Sequence, residues 1–248
     1  RVLVVGGGLA GMTAALTLAD LGYEVDLVEK NAELGGELKS VRYTLTGEDP
    51  QAFLDQLIEN VSSSDLISLY REAEVGQISG WVGQYETDLR LADGETESLI
   101  HGAVVVATGG REIVPDEYLY GADDRVLTQR ELEARLDTGD EIPSDVVMIQ
   151  CVGSREPDRP YCSRICCTKA VTNALRIKEQ DPGARVYVLY RELRTFGFRE
   201  DLYREARQKG VVFLRYALPD KPEVVAGNGG LTIRLQEPVT GVDVELGA

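Results

Sequence analysis

The first thirty residues carry the feature that most restricts the fold of this chain. Arg1–Lys30 reads as an apolar β-branched run, a glycine-rich turn, an Ala/Leu-rich helical segment and a second apolar run. The turn has the spacing G-x-G-x-x-G, with its glycines at Gly6, Gly8 and Gly11. This order predicts a strand, a helix and a parallel strand, which places the chain among the α/β folds.

The glycine-rich turn predicts a binding site for the phosphates of a dinucleotide. Gly6 permits a tight turn, Gly8 lets the backbone approach a pyrophosphate, and Gly11 lets the helix pack closely on the strand. The free N–H groups around Leu9 and Ala10, together with the positive end of the helix dipole, would hold the phosphates. A purely structural use of these glycines is the alternative.

The residues after the second strand distinguish a flavin site from a nicotinamide site. Glu29 lies 18 residues beyond Gly11, at the end of this strand, where it would accept hydrogen bonds from a ribose diol. Glu29, Lys30, Gly35 and Gly36 resemble the E-K-x-x-x-x-G-G continuation of flavoproteins with two dinucleotide-binding domains, in which this loop passes along FAD. An ordinary Gly-Gly turn is the alternative.

A further segment, Gly102–Gly110, supports FAD as the cofactor. It reads as a buried strand that ends in the small residues Ala107, Thr108 and Gly109. Small residues at the carboxyl end of a strand fit close passage of the backbone by the FAD diphosphate.

Short apolar runs before this segment predict a β-meander, an insertion typical of such flavoproteins. Within it, Val75 is the position whose backbone is predicted to meet the adenine. His101, the only histidine of the chain, is assigned a structural role. The predicted strands are Leu66 to Val75, Gln77 to Tyr85, Thr87 to Leu91 and Ser98 to His101.

A second strand–helix–strand pattern begins near residue 145. It consists of strand Asp145–Cys151, helix Cys167–Gln180 and strand Ala184–Tyr190. In a pyridine-nucleotide disulfide oxidoreductase the first loop of this unit would hold the NAD(P) pyrophosphate, but here it lacks G-x-G-x-x-G. We therefore do not expect a nicotinamide to deliver hydride at this position.

Together these patterns predict two Rossmann-like, three-layer domains of the two-dinucleotide-binding-domain flavoprotein type, with β-meander insertions. The FAD-binding domain is predicted to span residues 1–140, with its closing strand beyond residue 243, and the second domain residues 144–243. Asp137–Ser144 reads as a linker. Turns at residues 227–230 and 238–241 predict a second β-meander near the end of the chain.

All four cysteines lie in one short window, with the spacing C-x10-C-x3-C-C. In a cytosolic chain such thiols are more often metal ligands or redox groups than disulfides. The adjacent pair does not form the usual zinc knuckle, and the spacing departs from that of bacterial ferredoxins, so an iron–sulfur cluster is favoured while redox-active thiols and zinc stay open. The thiols are Cys151, Cys162, Cys166 and Cys167, and the nearby cations that would offset cluster charge are Arg155, Arg159, Arg164 and Lys169.

Three stretches of this region resemble the A subunit of heterodisulfide reductase and its bacterial relatives. They are Ile149–Arg155, Pro160–Ala170 and Val186–Gly197. The resemblance implies a fold like that of thioredoxin reductase, bound FAD, and a [4Fe-4S] cluster on the four cysteines in place of NAD(P). It also implies electron transfer between flavin and iron–sulfur centres inside a multisubunit complex, in some members with electron bifurcation.

Composition excludes some partners. The formal charge of −16 argues against nucleic acid or an anionic membrane surface, which require clustered Lys and Arg. The sequence has no apolar run near the roughly 20 residues that a transmembrane helix needs, and a cytoplasmic protein is expected. The chain begins within a strand, without Met, and is expected to be part of a longer polypeptide. Other redox subunits, of iron–sulfur or hydrogenase/dehydrogenase type, are the expected partners, and a homodimer is a further candidate.

Two other functions stay open. The chain would be an NAD(P)H-dependent thiol/disulfide flavin oxidoreductase if Cys166 or Cys167 served as the redox thiol. It would be a non-enzymatic, metal-stapled scaffold if the cysteines held zinc. The first alternative lacks a C-x2-C pair and a second glycine-rich loop, and the second predicts a colourless protein.

Overall fold

The computed structural model of the chain describes residues 1–44, 46–227 and 229–248. The chain divides into two compact units, Arg1–Glu112 and Ile113–Ala248. Each unit contains one parallel sheet and one three-stranded antiparallel sheet. The predicted α/β class, with two Rossmann-like parts and β-meander insertions, is confirmed.

The parallel sheet of the first unit has the strand order β3-β2-β1-β7, and its antiparallel sheet has the order β4-β5-β6. A short 3-10 turn, Gly36–Ser40, follows β2. The elements are β1 Val2–Val5, α1 Leu9–Asp20, β2 Val25–Val28, α2 Pro50–Ser63, β3 Ile67–Tyr70, β4 Glu74–Trp81, β5 Gln84–Arg90, β6 Thr96–His101 and β7 Ala103–Val106.

The core of the first unit lies between this sheet and the helices α1 and α2. All four residues of β2 are buried, as expected for a parallel strand that is covered on both faces. Val4, Leu27 and Met12 are fully buried in the same cluster. Asp49 caps α2, because its carboxylate accepts from the N–H groups of Gln51 at 2.8 Å and Ala52 at 3.1 Å.

Two predicted strands of this unit are wrong. The single strand expected over Leu66–Val75 is divided: β3 pairs in parallel with β2, whereas β4 belongs to the meander. Glu72 lies between them with φ 51°, a backbone conformation that interrupts a strand. The strand expected over Gln77–Tyr85 spans the hairpin turn between β4 and β5, where Gly83 has φ 91°.

The parallel sheet of the second unit has the strand order β10-β9-β8, and its antiparallel sheet has the order β11-β12-β13. The latter confirms the predicted second meander, although Asn228, in the turn predicted at 227–230, lies outside the described residues. The elements are α3 Gln129–Thr138, β8 Asp145–Ile149, α4 Cys166–Gln180, β9 Arg185–Tyr190, α5 Arg199–Gln208, β10 Val212–Arg215, β11 Glu223–Gly227, β12 Gly230–Gln236 and β13 Asp243–Gly247.

Helix α3 packs within the second unit. Leu136 is buried in the cluster that contains Met148 and Ala170, and the Asn173 amide of α4 donates to the backbone carbonyl of Gln129 at 3.0 Å. The domain boundary predicted near residue 140 lies after this helix and stays a prediction. In the described part of the chain, no helix combines the length and the apolar character needed to cross a membrane.

Candidate functional site

The glycine-rich turn lies between β1 and α1 and is held by close backbone contacts. A Cβ atom on Gly6 would lie 2.3 Å from the carbonyl oxygen of Ala107, and one on Gly11 would lie 1.7 Å from that of Gly6. Gly8 differs, because the nearest atom to its Cβ position is the Cα of Gly36, at 3.9 Å. Gly6 and Gly11 are therefore required by packing, whereas the space beside Gly8 is open.

Helix α1 begins without a capping side chain. Its N-cap is Gly8, and no side chain accepts from the first turn of the helix. Leu9 and Ala10 are exposed there. The first N–H groups of a helix have no partner within the helix and attract anions, so this end of α1 is open to a phosphate.

The Glu29 carboxylate organises the loop beside this turn. Oε2 of Glu29 accepts from the N–H of Gly7 at 2.7 Å, and Oε1 accepts from the N–H of Asn31 at 2.9 Å. Glu29 is 6% exposed. Each carboxylate oxygen can accept more than one hydrogen bond, so the fixed carboxylate retains capacity for the hydroxyls of a ribose.

Two further loops meet the glycine-rich turn. The N–H of Gly35 donates to the carbonyl oxygen of Gly7 at 2.8 Å, and Gly8 and Gly35 form a parallel bridge. The N–H of Ala107 donates to Val5 at 2.8 Å, which draws the end of β7 onto the end of β1. The three segments that the sequence assigned to FAD therefore converge.

Not every predicted residue lies at this convergence. Val75 lies two residues after Ala73. The N–H of Ala73 donates to the carbonyl oxygen of Glu29 at 3.1 Å, so the start of β4 runs beside the Glu29 loop. Lys30, Thr108 and Gly109 are exposed. His101 is buried and contacts Thr87 Oγ1 at 2.7 Å, in agreement with a structural role. The open space beside Gly8, the uncapped helix and the fixed carboxylate together fit a dinucleotide such as FAD.

The second site lies at the carboxyl end of the second parallel sheet. Residues Cys151–Cys162, hereafter the cysteine hairpin, leave β8, reverse direction and return. The N–H of Arg155 donates to the carbonyl oxygen of Tyr161 at 3.2 Å, and Glu156 and Arg159 exchange backbone hydrogen bonds of 3.0 and 3.1 Å. The ten residues between Cys151 and Cys162 thus reverse the direction of the chain and bring Cys162 back towards the sheet end at which Cys151 lies.

The cysteine segment has an unusual backbone. Cys151, Arg155 and Arg164 have φ of 65°, 57° and 63°, and Gly153 has φ of 61°. Non-glycine residues rarely adopt this left-handed conformation, and they keep it only where surrounding contacts enforce it. Such conformations cluster at functional sites.

Residues of the loop after β9 lie near several of the cysteines. Arg194 is close enough to Cys162 for the two groups to interact: the Glu192 carboxylate and, as a lesser cause, the Cys162 thiol raise the pKa of the Arg194 guanidinium. The Cys167 thiol lies 3.8 Å from the carbonyl oxygen of Glu192. Arg155 lies between Cys151 Sγ, at 3.9 Å, and the Glu192 carboxylate, at 2.8 Å.

All four cysteines are free thiols. A hydrogen bond between the Cys166 and Cys167 side chains lowers the pKa of Cys166 and raises the pKa of Cys167, which burial raises further. Four thiols are the donor set of iron–sulfur clusters and of structural zinc. Among the described residues, no three His, Cys, Asp or Glu side chains form a group that could hold a metal ion. The four thiols therefore have the donor type that a cluster or zinc requires, and they lie in one region. They are not arranged as an assembled ligand set.

The cations near the thiols are only partly those expected. Arg155 contacts Cys151, and Arg164 donates its backbone N–H to Cys162 Sγ at 3.3 Å. Lys169 instead pairs with the buried carboxylate of Glu133 in α3, at 2.6 Å. Arg194 lies beside Cys162, although the sequence does not mark it among the charge-offsetting residues.

Comparison with known proteins is consistent with this geometry. The family model described as pyridine nucleotide-disulphide oxidoreductase matches residues 1–149, which is more than half of the chain. The chain belongs to this oxidoreductase family. The match includes the glycine-rich turn, Glu29 and the Ala107–Gly109 loop, and it ends at the last residue of β8.

Curated relatives of this family member match along nearly the whole chain. One is the iron–sulfur A subunit of the CoB–CoM heterodisulfide reductase of Methanocaldococcus jannaschii, 29% identical over 99% of this chain and 52% of the relative. Another is the A subunit of the H2/formate:CoB–CoM heterodisulfide,ferredoxin reductase of Methanococcus maripaludis, 28% identical over the same shares. The resemblance to the A subunit of heterodisulfide reductase is confirmed, and the chain spans about half the length of these relatives.

Solved structures of the same fold include two thioredoxin reductases. The enzyme of T. acidophilum superposes with a TM-score of 0.60 and 14% identity, over 99% of this chain and 73% of the other. That of Lactococcus lactis gives 0.59 and 16%, over 100% and 74%. At such identity the likeness concerns the fold, which is that of flavoproteins with two dinucleotide-binding domains.

The sequence did not reveal several contacts of this chain. Gly7 and Asn31 hold Glu29 through their backbone N–H groups, and the side-chain amide of Asn31 also donates to Glu29 Oε1 at 2.7 Å. Lys221 pairs with Glu117 at 2.9 Å and with Glu156 of the cysteine hairpin at 2.6 Å. These partners are distant in sequence, so no local pattern could have identified them.

Proposed function

We propose that this chain binds FAD in its first unit and a [4Fe-4S] cluster on Cys151, Cys162, Cys166 and Cys167 in its second. It would transfer electrons between these groups as one component of a larger redox complex. The observation that carries the proposal is the cysteine hairpin, which occupies the position at which a Rossmann-like sheet normally presents its glycine-rich phosphate loop. Flavin, when bound, supplies one- and two-electron chemistry, which suits exchange with a one-electron centre.

For FAD, the chain's own residues provide binding and orientation. The N–H groups at the start of α1 receive the diphosphate beside Gly8, and Glu29 accepts from the ribose. Lys30, Gly35 and Gly36 line the loop along the cofactor, and Val75 lies on the adenine side. The backbone at Ala107, Thr108 and Gly109 closes the diphosphate site.

For the cluster, the chain provides thiolates and compensating positive charge. The backbone N–H group of Arg164 is directed at the Cys162 sulfur. Hydrogen bonds to sulfur and nearby cations both raise the potential of a thiolate-ligated cluster. The guanidinium groups of Arg155 and Arg194 supply the charge.

The relatives are A subunits of reductases that act on the CoB–CoM heterodisulfide. By analogy, we place this chain in a complex with other redox subunits, in which a heterodisulfide is the class of terminal substrate. A homodimer of the chain is the other assembly that the sequence suggests. The mass of the anaerobically purified complex distinguishes the two.

The proposal is tested by the absorption spectrum of anaerobically purified, reconstituted protein, with flavin, iron, acid-labile sulfide and zinc assayed on the same sample. We expect one flavin and about four iron and four sulfide per chain, as for one cubane held by four cysteines. Flavin without iron after reconstitution would reject the cluster, and zinc without flavin would favour a scaffold. Cys162→Ser should reduce iron while leaving flavin unchanged, and Ser144→Ala, whose hydroxyl donates to the Asp145 carboxylate at the start of β8, is the control.

A second candidate function is NAD(P)H-dependent thiol/disulfide reduction. The adjacent thiols Cys166 and Cys167 favour it, because Cys167 lowers the pKa of Cys166 and so increases its thiolate fraction. Steady NADPH consumption by flavin-loaded, iron-free protein with a disulfide substrate would support this function. Loss of that activity in Cys166→Ser would assign the thiol.

A further inference from the structure

The guanidinium of Arg191 is surrounded by the backbone of the cysteine hairpin. Arg191 directly follows β9. Its Nη1 donates to the carbonyl oxygen of Arg155 at 2.9 Å, and its Nη2 donates to those of Ser154 and, at 3.4 Å, Cys151. Nε of Arg191 is buried and has no hydrogen-bond partner in the part of the chain that the structure describes. Three carbonyl groups of one short connection therefore converge on a single planar cation.

These three carbonyls point to one centre because the hairpin backbone is locally left-handed. Cys151 and Arg155, two of the residues whose carbonyls bind Arg191, have φ of 65° and 57°. Side chains disfavour this conformation, so it persists only where other contacts enforce it. The guanidinium supplies such contacts, since its fixed fork binds several acceptors in defined directions.

The same backbone determines where two of the thiols lie. The turn at Cys151 is closed by a hydrogen bond from Ser154 N–H to Cys151 O, 3.4 Å long, and the pair of Arg155 with Tyr161 brings the returning chain alongside. Cys162 follows Tyr161 directly. A change in the Cys151–Arg155 backbone would thus alter the separation of the Cys151 and Cys162 sulfurs.

We propose that Arg191 is a positioning residue for the cysteine site: it acts through the carbonyls of Cys151, Ser154 and Arg155 and holds Cys151 and Cys162 in mutual reach. The inference rests on the proposed function only in treating these thiols as cluster ligands. The geometry of the guanidinium, not its charge, is the operative property. A lysine at this position keeps the charge and loses the fork.

The test uses the metal-free, reduced full chain and dibromobimane, a short reagent that joins two nearby thiols. The rate of the Cys151–Cys162 cross-link is measured by peptide mass spectrometry in wild type, Arg191→Met, Arg191→Lys and Arg185→Met. Arg185 is the matched control, because it lies at the opposite end of β9 and its guanidinium pairs with the Asp145 carboxylate at 2.6 Å. We expect both Arg191 variants to cross-link at least about tenfold more slowly, the effect of about 1.4 kcal/mol. Arg185→Met should stay within about threefold of wild type, less than half of that free energy.

Each outcome decides the proposal. Wild-type rates in Arg191→Lys would overturn it, as would slowing in Arg185→Met equal to that in Arg191→Met, or a wild-type chain that forms no Cys151–Cys162 cross-link. Circular dichroism identifies a variant that does not fold, and if Arg191→Met fails to fold, Arg191→Lys decides.

A second readout separates this inference from the proposed function. After reconstitution with iron and sulfide, we expect both Arg191 variants to hold less iron per chain than wild type and Arg185→Met. If wild type itself takes up no iron, the cluster proposal fails, while the cross-linking result still decides the role of Arg191.

Discussion

At Gly8 a side chain is absent for a different reason than at Gly6 and Gly11. At the latter two positions a Cβ atom would overlap backbone oxygens, at 2.3 and 1.7 Å. At Gly8 the nearest atom is 3.9 Å away, and its φ of −80° suits any residue. The fold therefore tolerates a methyl group at Gly8. A diphosphate lying against the backbone, however, would collide with that methyl group.

Gly8→Ala should accordingly lose FAD without unfolding. We expect flavin content after reconstitution to fall at least about tenfold, while the free energy of unfolding of the flavin-free chain changes by less than about 1 kcal/mol, the range for Gly and Ala at an N-cap. Flavin fluorescence after denaturation and urea unfolding measure the two quantities.

Gly22→Ala is the control for this substitution. Gly22 has φ of 85° and nothing within 4 Å of its Cβ position, so alanine costs about 1–2 kcal/mol of stability through backbone strain alone. The folded variant should bind FAD normally. Retention of FAD by Gly8→Ala would show that the FAD phosphates do not bind at this turn.

At the scale of elements, the helices differ in how they begin. Asp49 caps α2 and Thr128 caps α3 through their side chains, whereas α1, α4 and α5 begin without a side-chain cap. The uncapped first turns of α1 and α4 lie at the two candidate sites. A side-chain cap satisfies free N–H groups in the first turn of a helix, whereas an uncapped first turn leaves those N–H groups available to other partners.

The capping box of α3 predicts a pH-dependent contribution to stability. Burial raises the pKa of Glu131, but hydrogen bonds from the Thr128 N–H and the Tyr120 hydroxyl outweigh it, so the pKa of Glu131 is lowered. This contribution is therefore present above the unfolded pKa of about 4.3 and is lost as pH falls through the lower folded value.

Thr128→Ala should lower the free energy of unfolding by about 1 kcal/mol at neutral pH. Glu131→Gln should flatten the acid side of the stability profile, measured by urea unfolding between neutral pH and about pH 3, below the unfolded pKa. Glu141→Gln, which alters an exposed carboxylate beyond α3, is the control and should leave the profile unchanged. An unchanged profile in Glu131→Gln would contradict the role of the box.

At the scale of the whole molecule, the chain has two compact units whose connection is exposed. Residues 107–116 contain neither helix nor strand, and residues 108–114 are exposed. Such segments are preferred sites of proteolysis. The alternative linker, Asp137–Ser144, begins within the last two residues of α3, which packs on α4.

Limited digestion with a glutamate-specific protease distinguishes these boundaries. We expect an early cut after Glu112 that leaves two fragments resistant to further digestion, because each contains its own core. A cut after Glu141 should leave α3 bound to the second unit in native gel filtration. Release of α3 after that cut would instead support the boundary near residue 140.

Much of this protein could be predicted from its sequence, because the relevant signals are local. The first strand, α1 and Glu29 follow from periodicity, a glycine spacing and an acid at a strand end. The type of the second site follows from four cysteines in one window. Boundaries in the first meander could not be predicted, since short apolar runs do not specify the turn at Gly83 or the break at Glu72.

By itself, the sequence determined the fold class, the family and the residue types of both candidate sites, because strand, helix and turn preferences act over a few residues. Only the tertiary structure decided which side chains contact these two sites. Arg191, Arg194 and Lys221 reach the cysteine hairpin from other strands and loops, and Lys169 is drawn instead to Glu133. These pairings depend on how distant segments pack, and a linear pattern of residues contains no signal for that.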